Sequence, residues 1–251
     1  MKGLYIGVVS HGHFNIIKKL GCLAHLSLNH IEVGILDNVG EEGFEEYCKQ
    51  HGIDYLKNSV AKGFGENNNI LFNYAYKQGY LDESGYFLVL NPDVAIAFNM
   101  LQNLVDKAYK CRDELVAINL FKNSEFTESD PSVRNFPGFI DFAKSLLLGV
   151  NPTLLDKSVI KERTTVDWAA GSFLLIKAAV YKRLNGFDER YFMYCEDLDI
   201  CWRAKHSLGV NLYFYPEVKA LHQAQHANRK IISKHFFWHI KSVFRYLLLK
   251  K

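Results

Sequence analysis

Short apolar runs rich in Val, Ile and Leu recur along the first half of this chain, each followed by a stretch of helical period. Leu4–Ser10, Ile31–Asp37, Ile53–Lys57, Tyr86–Asn91 and Leu115–Leu120 read as strands. His13–Leu26, a polar stretch near Glu41–Gln50, Asn68–Lys77 and Asn99–Lys110 read as helices between them. Strand–helix alternation constrains a fold more than any single motif, because it demands an α/β domain whose parallel sheet is covered on both faces. Such sheets bind ligands at the carboxyl ends of their strands, where Ser10, Asp37-Asn38 and Asn91-Pro92-Asp93 cluster.

The second half is less regular. Glu125–Arg163 is interrupted by Pro131, Pro137 and Pro152 and reads as an excursion rather than a second domain. Order resumes with a strand at Gly171–Lys177, a helix from Ala178, a helix over Cys195–His206 and a strand at Val210–Tyr215. With 251 residues, 49% hydrophobic and 23% charged, the chain has the composition of one large globular domain, not of a disordered polymer. No apolar run reaches the roughly 18–20 residues that span a bilayer, and the first residues lack the pattern of a signal peptide. Five irregularly spaced cysteines argue for a reducing, cytosolic setting.

Net charge divides unevenly. The first 217 residues hold 22 basic and 27 acidic groups, a net of −5, while the last 34 hold eight basic groups and no acid. A basic tail on an acidic body suggests an anionic partner for the tail. At about 100° per residue, Lys230, Lys234, Lys241 and Arg245 fall within about 60° of one another. Ile232, Phe236, Ile240, Val243, Phe244 and Leu247 fall opposite, across about 120°. Residues 229–251 therefore read as an amphipathic helix appended to a 1–228 domain. It either lies in a membrane interface or packs on the body with its basic face in water. Nucleic acid is the weaker partner, since no nucleic-acid signature accompanies the charge.

Three motifs carry chemistry. Gly63-Phe64-Gly65-Glu66-Asn67-Asn68-Asn69 joins a strand to a helix, so it is either a close approach to a nucleotide phosphate or a turn with an Asn cap. Asp93 closes a strand, where a carboxylate either holds a divalent cation or simply makes a turn. Glu196-Asp197-Leu198-Asp199 packs three carboxylates into four positions; like charges that close raise one another's pKa, which suits proton abstraction or metal binding. One of the three would also serve as a helix N-cap. The pairs His222/His226 and His235/His239 have helical spacing but lack the partners of a zinc site. His222, after a strand, has a route to the same pocket as Asp93.

Taken in order, Val8-Val9-Ser10-His11-Gly12, Asp37-Asn38, Gly63-Phe64-Gly65, Asn91-Pro92-Asp93, Ala170-Gly171-Ser172-Phe173 and Asn185-Gly186-Phe187-Asp188-Glu189 through Asp199 resemble the inverting family-2 glycosyltransferases. Val166-Asp167-Trp168, Tyr191–Asp197 and Trp238–Ser242 with Phe244-Arg245-Tyr246 are similar to the O-antigen L-rhamnosyltransferases. The resemblance implies a GT-A fold, with a Rossmann-like nucleotide half continuous with an acceptor half. It implies dTDP-β-L-rhamnose as donor and N-acetylglucosaminyl diphospho-undecaprenol as acceptor, at the cytoplasmic face of the bacterial inner membrane. Ser10, Asp37, Asn38, Gly63, Phe64, Asn68, Asn69 and Asn91 would bind the nucleotide sugar. Trp168, Gly171, Asp199 and Arg203 would meet the acceptor. Asp93 and His222 would hold Mg or Mn, although Asn91 stands where the family's metal motif has its first Asp. Asp197 would be the base, with Glu196 as the alternative. Donor identity is open to galactose, N-acetylhexosamine or a furanose; a catalytically idle, membrane-docked subunit and an oligomer are also compatible.

Overall fold

The computed structural model describes residues 3–223 and 234–249. In chain order it runs β1 (Leu4–Ser10), α1 (Phe14–Leu20), α2 (Cys22–Leu28), β2 (Glu32–Asp37), α3 (Phe44–Gln50), β3 (Asp54–Lys57) and α4 (Phe64–Lys77). Then come β4 (Tyr86–Leu90), β5 (Val94–Ala95), α5 (Phe98–Cys111), β6 (Leu115–Phe121), β7 (Val133–Arg134) and α6 (Phe139–Leu148). The last part holds β8 (Thr164–Val166), β9 (Trp168–Ala169), β10 (Phe173–Lys177), α7 (Ala178–Arg183), α8 (Glu196–Leu208), β11 (Leu212–His222) and α9 (Lys234–Leu249).

The main sheet has the order β3-β2-β1-β4-β10-β6-β11-β5, with β8 on β11. Period-two alternation assigns each strand residue to one of two cores. Leu4, Ile6 and Val8 face a core completed by Ile17, Leu23, Leu26, Phe44, Leu101 and Leu104, from the helices α1, α2, α3 and α5. Tyr5 faces the other way, with Leu71, Phe72, Tyr181, Leu198, Ile200 and Tyr246 from α4, α7, α8 and α9. β4 and β6 are buried along their whole length, which is why they read as unbroken apolar runs rather than alternating ones.

The expected all-parallel sheet is corrected to a mixed one. β3, β2, β1 and β4 are parallel, but β10 runs antiparallel to both β4 and β6. Hydrophobic period does not encode strand direction; the long excursion after β6 brings the chain back from the opposite end. Likewise the single helix expected over His13–Leu26 is two, because Gly21 sits at φ +60° between α1 and α2 and only glycine adopts that backbone without strain. The excursion contains a helix, α6, whose start is capped by Asp141 accepting from the Gly138 N–H at 2.8 Å. Pro216 coincides with a register shift between Tyr215 and Lys219 that lets β11 reach its end at His222.

After β1 the chain steps outward to β2 and β3, then returns to place β4 on the other side of β1. The carboxyl ends of β1 and β4 thus flank a topological switch point, the usual place for a ligand in an open sheet.

α9 does not stand away from the body. Ser242 Oγ donates to the Met193 carbonyl at 3.0 Å, Trp238 packs on Phe192, His239 on Tyr194, and Tyr246 meets Phe142 of α6. Ser242, Val243 and Tyr246 are buried, whereas Phe237, Lys241, Phe244 and Leu248 are exposed. The expected division into a basic and an apolar face is therefore corrected: Phe244 shares the outer stripe with Lys241, and Arg245 lies over the Tyr191 ring. The expected boundary at 228/229, the helix start at Lys230, and His226 fall outside the described residues. No described helix is long and apolar enough to cross a membrane.

Candidate active site

β4 ends at Leu90, and the Asn91 N–H donates to the Ser172 carbonyl at 3.0 Å. A turn closed by Val94 N–H on the Asn91 carbonyl carries Asp93 toward β5, which pairs with the end of β11 so that Val94 lies opposite His222. The pairing brings His222 Nε2 to 3.4 Å from Asp93 Oδ1, and its Nδ1 to 3.2 Å from Asp130 Oδ2. Burial opposes the imidazolium, but hydrogen bonds and charge from Asp130 and Asp93 outweigh it and raise His222 to about 9. Burial pushes Asp93 upward, yet His222 holds it below the ordinary carboxylate range. Asp130 had no signal beyond its residue type, lying in the irregular excursion.

The acidic motif opens α8. Tyr194 and Cys195, immediately before it, have φ of +72° and +64°. Two successive non-glycine residues in the left-handed region cost about 1–3 kcal/mol each, and such strain persists only where surroundings enforce it. The surroundings are α9, through the contacts given above, and α4, whose Phe64 N–H donates to the Phe192 carbonyl at 3.2 Å. Gly63 and Gly65 make that approach possible: a Cβ on Gly63 would lie 2.5 Å from the Phe192 oxygen, and one on Gly65 2.8 Å from the Phe187 Cβ. The glycine motif seats the acidic loop, and Phe64 packs against Phe187 and Gly171. Gly63 and Phe64, expected beside a nucleotide phosphate, thus have contacts within the protein as well.

Asp197 accepts the Gly171 N–H at Oδ2 (3.0 Å) and the Leu198 N–H at Oδ1 (2.8 Å), and its side chain keeps partial exposure. Glu196 is buried and its Oε2 has no partner. Burial, then the charges of Asp197 and Asp199, push Glu196 up to about 8; burial also raises Asp197, against the pull of its two N–H donors and Arg134. Between the two, Asp197 is the carboxylate held in a fixed orientation with access to solvent.

The other expected ligand residues make hydrogen bonds within the protein. Asn69 makes four hydrogen bonds, with Phe187 N–H and carbonyl, Tyr181 and Glu189, and so pins the 187–189 turn. Asp199, fully buried, pairs with Arg203 at 2.7 Å, and Arg203 donates onward to the Leu184 and Gly186 carbonyls. These three brace the turn before α8, and Asn69 and Arg203 line a cavity of about 360 Å³ beside it. Asn38 bonds Lys62 and Asn58, and Asn68 donates to Phe64. Ser10 donates to Glu41, a residue the sequence gave no reason to choose. Asp37 accepts N–H groups of Val39, Gly40 and Glu41 and the Tyr55 hydroxyl. Trp168 is buried, its indole N–H on the Asn135 carbonyl and Arg134 over its ring, so it presents no open stacking face. Asn91 keeps partial exposure beside Asp93.

One continuous rim joins the two carboxylate centres. Asp197 bonds Gly171; the next residue, Ser172, bonds Asn91; two residues on is Asp93, which meets His222 and, through it, Asp130. Ser132 N–H bonds the Asp130 carbonyl and Ala170 N–H bonds Ser132, which returns to Gly171. Asp93 and Asp197 are thus linked through the hydrogen bonds of the Ala170–Ser172 segment at the end of β4. The sequence model described as "Glycosyl transferase family 2" matches residues 15–179. The chain belongs to glycosyl transferase family 2.

The chain is 39% identical over 249 residues to "Rhamnosyltransferase WbbL" of Escherichia coli K12, covering 99% of this chain and 94% of that one. It is 28% identical over 241 residues to the "N-acetylglucosaminyl-diphospho-decaprenol L-rhamnosyltransferase" of Mycobacterium tuberculosis, covering 90% and 78%. Among solved structures it resembles GalNAc-T7 with UDP, GalNAc and Mn2+ (TM-score 0.64, 14% identity, 98% of this chain and 47% of that one). It also resembles the mannosyltransferase PcManGT of Pyrobaculum calidifontis (TM-score 0.59, 14% identity, 90% and 58%). The fold of this glycosyltransferase is GT-A, the architecture the motif order implied.

Proposed function

We propose that this glycosyltransferase moves L-rhamnose from dTDP-β-L-rhamnose to N-acetylglucosaminyl diphospho-undecaprenol, with inversion, working peripherally at the cytoplasmic face of the inner membrane. The observation that supports the reading is the hydrogen-bonded rim that links Asp197 to Asp93 through Gly171, Ser172 and Asn91, and we take the two carboxylates to face one substrate. Both rhamnosyltransferase relatives support the choice of sugar, and the mycobacterial one supports a lipid-linked acceptor.

An acceptor hydroxyl is a poor nucleophile near neutral pH. Asp197 takes its proton as the new C–O bond forms; the Gly171 and Leu198 N–H groups fix the carboxylate's orientation. Burial raises its pKa, which makes it a stronger base than an ordinary aspartate. Attack opposite the departing diphosphate inverts the anomeric carbon, so a β-linked donor yields an α-linked product.

Asp93 and His222 would hold a divalent cation. Asp93 offers carboxylate oxygen, and His222 Nε2 would become a ligand only on giving up the proton that Asp93 and Asp130 favour; no group of three ligating side chains forms among the described residues. That donor set fits a cation that completes its shell from diphosphate oxygens and water. Such a cation supplies charge neutralisation for the departing diphosphate. His222 is kept in register for this by β5–β11 pairing and by Asp130.

The test is a transfer assay against a panel of nucleotide sugars with a lipid-linked N-acetylglucosaminyl diphosphate. Selective turnover of dTDP-rhamnose is expected. Preference for another sugar would replace the donor, and absence of nucleoside diphosphate release from every donor would remove the enzyme reading.

A further inference from the structure

The outer face of α9 carries a second feature that the transfer reaction does not use. A groove of about 420 Å³ is lined by Arg190, Lys241, Phe244, Arg245 and Leu248. Three of the five are cations and none is acidic. Arg190 is already chelated by Asp188, with Nη2 at 2.6 Å. Lys241 meets no carboxylate among the described residues, and Nη1 of Arg245 is buried without a hydrogen-bond partner. A buried guanidinium nitrogen lacking an acceptor marks a place for an anion, and a fork of Arg and Lys donors suits a phosphate.

Phe244 and Leu248 give the groove an apolar wall that continues along the outer face of α9 to Phe237. Phe237, Phe244 and Leu248 are 65%, 60% and 67% exposed, and with Lys241 they form one stripe within about 60° of helix face. Next to α9, through the Phe142–Tyr246 contact, α6 leaves Phe139, Ile140 and Leu148 exposed around Lys144. A sugar, a nucleotide or free phosphate has no use for such a stripe. Cations beside exposed Phe and Leu on a helix surface match an amphiphile whose head is anionic and whose body is apolar.

We propose that this groove receives the phosphate headgroup of an anionic phospholipid, with the Phe237–Phe244–Leu248 stripe inserted at the bilayer interface. The packed face of α9 holds the strained Tyr194-Cys195 segment while its outer face meets the membrane, so one helix ties the catalytic loop to the surface that carries the acceptor. The purpose rests on the reading of a lipid-borne acceptor, but the groove does not; its test needs no turnover, so either can fail alone.

The full chain is sedimented with vesicles of phosphatidylcholine, and of phosphatidylcholine with phosphatidylglycerol. The parent should bind the anionic vesicles, lose binding at high salt, and keep it in inorganic phosphate at constant ionic strength. Lys241→Gln should weaken binding about fivefold, the effect of one cation at an anionic surface, and Phe244→Ser with Leu248→Ser at least tenfold. Both variants change exposed residues, and circular dichroism checks that they fold. Equal binding by parent and variants would overturn the proposal. So would displacement of the parent by inorganic phosphate, no binding to anionic vesicles, or a stripe that proves to be a dimer contact by light scattering.

Discussion

The carboxylates of Asp37, at the end of β2, and of Glu196, at the start of α8, are both buried, yet their surroundings are opposite. Asp37 accepts three backbone N–H groups and a tyrosine hydroxyl, which outweigh burial and hold it below the usual range. Glu196 has an oxygen with no partner, two carboxylates nearby, and a pKa pushed up to about 8. The first is a buried charge fully satisfied, and its surroundings stabilise the fold. The second is held in a state the fold would not choose for stability, next to Asp197, which the proposed chemistry needs. Degree of satisfaction separates structural from reactive acid better than residue type does.

Three substitutions break or sharpen that contrast. Asp197→Asn should have the largest effect: turnover falls about 10²–10⁴-fold, the range for loss of a general base, while calorimetric donor binding and Tm stay close to the parent. A variant that keeps most of its turnover would pass the role to Glu196. Asp37→Asn comes next, because removing a charged acceptor of several hydrogen bonds costs roughly 2–3 kcal/mol. Its folded pKa is depressed, so that contribution is present above the unfolded value and is lost as pH falls through the folded one. Denaturation midpoints should show a large deficit at neutral pH that narrows under acid; a constant deficit would mean packing, not charge.

Glu196→Gln should act the other way. A carboxylate whose folded pKa lies above its unfolded value weakens the fold as pH rises between the two, here from the ordinary carboxylate range to about 8. Removing it should raise Tm slightly at pH 8 and hardly at pH 5. The same variant should leave the acid limb of kcat/KM in place, because Glu196 titrates at about 8 and is still protonated and uncharged where Asp197 loses its proton. A limb that moves to lower pH would show that Glu196 carries its charge there and would overturn the assignment of the raised value to Glu196.

How much was legible in the sequence follows the same divide. Periodicity located β1 to its ends and β2, β4, β6 and α5 to within a residue or two, because burial on two faces leaves a pattern in residue type. The order of the motifs identified the family, and the late histidine was correctly placed beside Asp93. Strand direction in β10 was not legible, since pairing partners far apart in sequence decide it. Nor were the commitments of Asn38, Asn69, Asp199 and Arg203, because a polar side chain reads alike whether it faces a ligand or a turn. The left-handed pair Tyr194-Cys195 carries no glycine signal, and α9's outer stripe depended on which face its neighbours claim.

A crystal structure of the protein with dTDP and Mn2+ tests the shared site most directly. The account expects the diphosphate beside Asp93 and His222, with open space for one sugar ring between it and the Asp197 carboxylate. A nucleotide bound away from β4, or a diphosphate with no open path to Asp197, would contradict it.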